Sequence, residues 1–327
     1  MSLRIIKAGL LDTIQDLGRF GYQHQGINPG GAMDRFSASL ANVLLGKEPH
    51  APVIEMHFPA PEILLEEACI ICITGADFSP LINGDRVFLS QPVAVKASSI
   101  LSWKGLNSGA RCYLSLLNDL HLEKWLNSYS TNLKAGVGGF KGRRLLKGDR
   151  LFFRSMTLPA INETISLLPW QYRGLLNKTN EIEFIIGPEW NWLTTKSRTT
   201  FLNEAFKISP ASDRMGYRMH GHALEQTNKE QLISSAVTFG TVQLLPDGQL
   251  IVLMADHQTT GGYPRIASII TPHLPTLAQM IPGDELKFVM TDIASAEEKL
   301  VDQQKYLQQL QNTCKLKMQN WLNEHRS

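Results

Sequence analysis

No stretch of the 327 residues reaches the about 18–20 consecutive apolar residues of a membrane span, which sets aside a helical membrane protein. Charge of one sign is also lacking. The 32 Lys and Arg against 30 Asp and Glu leave a net charge of +2, and such a balance calls for neither nucleic acid nor an anionic membrane as partner. Cysteine is scarce, with 4 residues, which suits a reducing compartment. The first residues, Met1-Ser-Leu-Arg-Ile-Ile, carry no basic region leading into an apolar core and cleavage site, so a cytoplasmic protein is expected.

Several motifs of known chemistry are missing too. His24, His220, His222 and His257 show neither H-x-x-x-H nor H-E-x-x-H spacing, and there is no G-x-S-x-G elbow, so metal catalysis and a serine nucleophile are not expected. Gly136, Gly138, Gly139 and Gly142 in GVGGFKG fit neither G-x-G-x-x-G nor G-x-x-x-x-G-K-[ST], which reads as a sharp loop in place of a phosphate cradle. Cys69 and Cys72 form a C-x-x-C, but within the apolar run ACIICITG. On a strand, residues three apart face opposite sides, so the two thiols should not converge on a metal. The densest basic run, Lys141 to Arg150, reads as a solvated hairpin, with an anion site as the alternative.

What is present is apolar residue, at 43%, with 19% charged. That is a globular composition, and the length suits about two domains. Ten segments read as strands from β-branched content or alternation: Leu3–Lys7, Val53–Phe58, Ala68–Thr74, Val93–Lys96, Cys112–Leu117, Glu183–Ile186, Val242–Leu245, Leu250–Met254, Ile266–Ile270 and Leu286–Met290. Helices are few. Asp34–Leu45 opens on an Asp, repeats Phe36, Leu40, Val43 and Leu44 at helical spacing, and stops at Gly46. After Asp292 a stripe through Ile293, Ala296, Leu300, Leu310, Cys314, Met318 and Trp321 predicts a long C-terminal helix. Two echoes in the same order, KGDRLFF with PGDELKF and INPGGAMDR with ISPASDRMGYR, suggest a duplicated β-domain. The expected division is 1–157, a linker at 158–180, 181–290, and a helical 291–327.

Four polar, glycine-rich segments could carry chemistry: Asp12–Asp34, Ser130–Arg143, Ser209–Gly221 and Ala255–Pro264. Glycines there let backbone N–H groups approach a ligand, and such donors can stabilise a developing oxyanion. Asp34 and Asp213 each precede an Arg. Either is a structural ion pair holding a turn, or a carboxylate that acts as base or orients a substrate.

Together TIQDLGRFGYQHQGINPGGAMD, AGVGGFKGRRLLKGD, SPASDRMGYRMHG, GTVQLLPDGQLIVLMADHQTTGGYPRIA and MIPGDELKF resemble the family variously called the 5-oxoprolinase C subunit, allophanate hydrolase subunit 2 or biotin-dependent carboxyltransferase. The resemblance runs from Leu10 to Val289. It implies a mainly β fold of two cyclophilin-like barrels. It also implies one subunit of a 5-oxoprolinase, which opens 5-oxo-L-proline to L-glutamate with ATP as co-substrate. Two other subunits would be partners, one a homologous cyclophilin-like protein, and this chain shows no ATP motif of its own. The catalytic positions it implies are Asp34, Asp213, Arg214 and Tyr263. The substrate-binding positions are Gln15, Asp16, Arg19, Met33, Thr241, Gln243, Asp256, Gln258, Thr259, Thr260, Gly261 and Gly262. Phe20 stands where the family often has Pro. His257 stands where it often has Arg, and a neutral imidazole does not replace a guanidinium. Two other readings of the resemblance are carboxyl transfer from carboxybiotin to a urea-like amide, and a non-enzymatic antagonist that binds a homologous kinase inhibitor.

Overall fold

All ten apolar or alternating segments form strands in the computed structural model, which describes residues 2–154, 156, 158–159, 161, 163–174, 179–228 and 230–325. The chain divides into two compact units. One comprises Met1–Gly18, Asp34–Gly174 and Lys305–Ser327, the other Arg19–Met33 and Leu175–Gln304.

The first unit holds two six-stranded sheets. One runs in the order Arg150–Phe152, Ser2–Lys7, Glu62–Leu65, Ser99–Trp103, Pro80–Ile82, Asp85–Arg86. The other runs Ile165–Leu167, Val93–Val95, Cys69–Asp77, Ser108–Leu116, Val53–His57, Thr13–Gln15. Strand alternation explains the middle layer. Cys69, Ile71 and Ile73 enter the apolar core with Leu3, Ile5 and Ile63 of the first sheet. Ile70 and Cys72, on the opposite face, join a second core. Leu40 and Leu44 of helix α1 (Arg35–Leu44) enter it, as do Cys314, Met318 and Trp321 of helix α4 (Ile293–Glu324). A strand buried on both faces must be apolar throughout, which is why ACIICITG shows no polar alternation.

Helix α1 starts where the Asp34 carboxylate accepts from Ser37 N at 2.8 Å, satisfying a donor that the first turn leaves open. It ends in a Schellman motif. Lys47 N–H donates to the Asn42 carbonyl and Gly46 N–H to that of Val43, with Gly46 at φ 71°. A methyl carbon at Gly46 would lie 2.8 Å from Lys315 Cα, so the glycine also admits α4. Within 158–180, residues 160, 162 and 175–178 lie outside the described residues, while Ile165–Leu167 pairs with Val93–Val95.

The run from Lys141 to Arg150 is not the hairpin its composition suggests. Leu145 is fully buried, and Arg143 forks onto Asp149 at 2.6 and 2.8 Å. Asp149 also accepts from Leu146 N, so a single carboxylate closes the turn and two cross-strand ladders are unnecessary.

In the second unit, seven strands close a barrel: Glu181–Ile186, Arg265–Ile269, Thr241–Leu244, Leu250–Leu253, Gly216–His220, Phe206–Ile208 and Glu285–Met290. Closure comes from a parallel pairing of Glu181–Phe184 with Lys287–Met290, and it removes the exposed edges that open sheets carry. Phe184, Phe201, Phe206 and Phe288 fill one end, Phe201 and Phe288 stacked at 4.5 Å. Phe201 is supplied by helix α2, Thr195–Asn203, capped by Thr194. Helix α3 is the single turn Leu274–Ala278. The fold is thus mainly β with a long C-terminal helix. Its second half closes as a barrel, whereas its first half is a pair of sheets.

Candidate functional site

Strand Gly216–His220 places Tyr217 and Met219 in the barrel core and leaves Arg218 and His220 exposed. Arg218 lies opposite Ile251, Ile251 opposite Gln243, and Gln243 opposite Arg265, a row crossing four strands on the outer face of the barrel. At Gly216 a methyl carbon would sit 2.7 Å from Ile251 Cδ1, so any larger residue there would have to push the Ile251 side chain aside. A cavity of about 560 Å³ opens over this row, lined by Asp213, Gly216, Arg218, Gln243, Gln258 and Tyr263 among others. Four residues that the resemblance implies, Asp213, Gln243, Gln258 and Tyr263, therefore share one cavity.

Gln243 is the deepest of them, 1% exposed. Its Nε2 donates to the Tyr263 carbonyl at 3.4 Å, a long bond that leaves the amide weakly held. A methyl carbon at Gly261 would lie 2.6 Å from the same Nε2. The glycine thus lets the Thr259–Tyr263 backbone close over the amide. Gly261 also lies in a two-residue ladder, Thr260–Gly261 with Ser235–Ala236. Asp213 Oδ1 accepts from Met215 N at 2.7 Å and Gly216 N at 3.2 Å, folding the turn at the rim. Tyr263 is 44% exposed.

The adjoining loops are locked by a buried fork. Arg214 Nε donates to Asp256 Oδ2 at 2.8 Å and Nη2 to Oδ1 at 3.1 Å, while Nη2 also reaches the Gly31 carbonyl at 2.7 Å. Asp256 N donates back to the Arg214 carbonyl at 2.8 Å. Arg19 is buried beside them. A methyl carbon at Gly30 would lie 3.1 Å from Arg19 Nη1 and 3.7 Å from Asp256 Oδ1. Met33 packs in the barrel core, and Thr241 Oγ1 accepts from Thr238 N. Thr259 and Thr260 do not line the cavity, nor does Gly262. His257 is buried, its Nδ1 2.5 Å from the Gln258 carbonyl.

Three implied residues lie in the first unit. The Asp16 carboxylate accepts from Ser128 Oγ, Ser130 Oγ, Tyr129 N and Gly18 N, so it pins the 128–130 turn. Gln15 Nε2 donates to Thr13 Oγ1 at 3.0 Å. Asp34 is fully buried as the α1 cap, and its N–H donates to Tyr113 Oη, which donates to Glu55. Burial pushes the Tyr113 phenol well above its ordinary value, with the Glu55 and Asp34 carboxylates adding to the shift. Burial likewise lowers the Arg35 guanidinium to about 10 against the pull of Asp16. Among the described residues, no three His, Cys, Asp or Glu side chains group as a metal would need, and no helix is long and apolar enough to cross a membrane.

Sequence reasoning did not select Arg218 or Asp247, which also line the cavity. The alternation in GYRMH, one polar residue between two core residues, was the available signal for Arg218.

The family described as carboxyltransferase domain, subdomain A and B, matches residues 25–290. A 5-oxoprolinase C subunit of Escherichia coli (strain K12) is 35% identical over 309 residues, covering 94% of this chain and 97% of that one. The protein of the same name from Haemophilus influenzae is 35% identical over 298 residues, covering 91% and 94%. The crystal structure of the K. lactis urea amidolyase aligns with a TM-score of 0.86 at 25% identity, over 94% of this chain but 20% of that one.

Proposed function

This chain belongs to the carboxyltransferase domain family, subdomains A and B, and from that premise we propose that it is the C subunit of a 5-oxoprolinase. The observation that carries the proposal is the extent of the match, 97% of the length of a 5-oxoprolinase C subunit against 20% of a urea amidolyase. The reaction adds water across the lactam C–N bond of 5-oxo-L-proline, giving L-glutamate, with ATP hydrolysed in the same turnover.

A lactam is a planar, poorly electrophilic amide, so a site for it needs directed donors and acceptors in a partly enclosed space. The Gln243 and Gln258 amides and the Tyr263 hydroxyl provide these around the cavity. Asp213 Oδ1 holds its own turn. Its other oxygen would orient the water and take a proton as the C–O bond forms. Arg214 and Asp256 would hold the two loops in register.

ATP supplies activation of the amide oxygen. The glycine loop of this chain spends four of its N–H groups on its own turns, which counts against it as a nucleotide cradle. Gly136 N and Val137 N donate to the Asn132 carbonyl, Gly139 N to Tyr129 and Gly142 N to Gly138. In this reading two partner subunits, one of them a homologous β-protein, bind the nucleotide. A second reading, carboxyl transfer from carboxybiotin to a urea-like amide, is supported by the urea amidolyase likeness. The test is glutamate release from 5-oxoproline and ATP by this chain with its two partner subunits. ATP-dependent release only in the full mixture supports the proposal. No release there, with urea-dependent bicarbonate fixation once a biotin carboxylase, its biotin carrier and ATP are supplied, would replace it with the second reading.

A further inference from the structure

Resting on that reading, we infer that Arg218 is the residue that recognises the ring carboxylate of the substrate, and so sets selection for carboxylated lactams over neutral amides such as urea. A carboxylated lactam asks two things of a site: donors and acceptors for the amide, and a cation for the carboxylate. Among the described residues lining the outer-face cavity, Arg218 is the one cation.

The other cationic forks of the barrel are already committed. Arg214 pairs with Asp256, and Arg265 takes Glu189 through two nitrogens at 2.9 and 3.0 Å. Arg218 makes no ion pair among the described residues, although Asp213 and Asp247 line the same cavity. Those two acids close local turns, Asp213 on Met215 N and Gly216 N, Asp247 on Gln249 N.

Position favours the role as well. The Arg218 main chain is held on both sides by the neighbouring turn. Its N–H donates to Ser212 Oγ at 3.0 Å, and its carbonyl accepts from Ser209 N at 2.8 Å. Cross-strand Ile251 separates it from Gln243, so amide and cation stand at opposite sides of one apolar floor. A planar guanidinium meets a carboxylate through two parallel N–H bonds, which a point charge cannot reproduce.

The experiment is steady-state kinetics of the three-subunit assembly carrying Arg218→Met or Arg218→Lys. We expect KM for 5-oxoproline to rise about tenfold or more in Arg218→Met, with kcat within about threefold, and a smaller rise in Arg218→Lys. A KM within about twofold of wild type, or a loss confined to kcat, overturns the inference. Wild-type assembly that releases no glutamate overturns instead the function on which it rests. Arg218 is exposed, and co-elution of each variant with its partners separates a binding defect from a folding one.

Discussion

Replacing Asp256 by Asn tests whether the Arg214 fork holds the barrel loops. The Arg214 and Asp256 side chains are 6% and 17% exposed, so solvent screens their interaction poorly. In Asp256→Asn the guanidinium stays buried and keeps the Gly31 carbonyl, but faces a neutral amide that can accept in place of one oxygen. Removing one partner of a buried pair costs about 3–5 kcal/mol, and the retained acceptor puts Asn at the lower end, about 3 kcal/mol. With a urea slope of about 2 kcal/mol/M the midpoint should fall by more than about 1 M. Trp190, buried in the barrel core, reports unfolding of this unit by fluorescence. The double variant Arg214→Met, Asp256→Leu removes both charges and should recover most of the loss. A midpoint within about 0.2 M of wild type in Asp256→Asn would refute the reasoning.

Asp12 is fully buried, and desolvation raises its carboxyl from 3.8 to about 7 against the opposing hydrogen bond from Gly9 N. The native state therefore holds this proton longer than the unfolded chain does. The stability it contributes is complete below about pH 4 and is lost as pH rises through about 7, by up to about 4 kcal/mol. Asp12→Asn should match wild type near pH 4 and exceed it near pH 8 in urea midpoint, and parallel profiles would count against it. Gly261→Ala should displace Gln243, destabilise by about 1–3 kcal/mol and raise KM. Gly262→Ala, whose methyl carbon meets nothing nearer than 3.4 Å, should be close to neutral in thermal melts and turnover. All four cysteines are buried, with Cys69 raised to about 12 by desolvation. Ellman's reagent should find no reactive thiol at pH 8 until the chain unfolds, and a rapid stoichiometric reaction in buffer would contradict the packing.

The long strands were legible because buried faces demand apolar residues at fixed period. The same logic sent Cys69 and Cys72 to different cores. Thr13–Gln15 and Phe206–Ile208 were not, since three residues display no period. Helix α2 was missed because TKSRTTFLN buries only Ser197 and Phe201, too little for a stripe. Motif resemblance drew together residues of unlike geometry. Asp213, Gln243, Gln258 and Tyr263 share a cavity, while Asp16 and Asp34 are engaged in a turn clip and a helix cap. Those distinctions depend on partners such as Ser128 and Ser37, whose hydrogen bonds leave no mark on composition.

Residues 19–33 belong with the barrel although they are synthesised between a strand and a helix of the other unit. Met33 sits in the barrel core, and the Gly31 carbonyl anchors Arg214. During translation at about 5–20 residues per second, this segment must wait on the order of ten seconds or more for the strands it serves. Neither half of the gene thus encodes a complete folding unit. A C-terminal fragment would emerge with a hole in its core and a buried guanidinium short of an acceptor. A cut between the halves leaves each fragment without a segment of its own unit, residues 19–33 for one and 305–327 for the other.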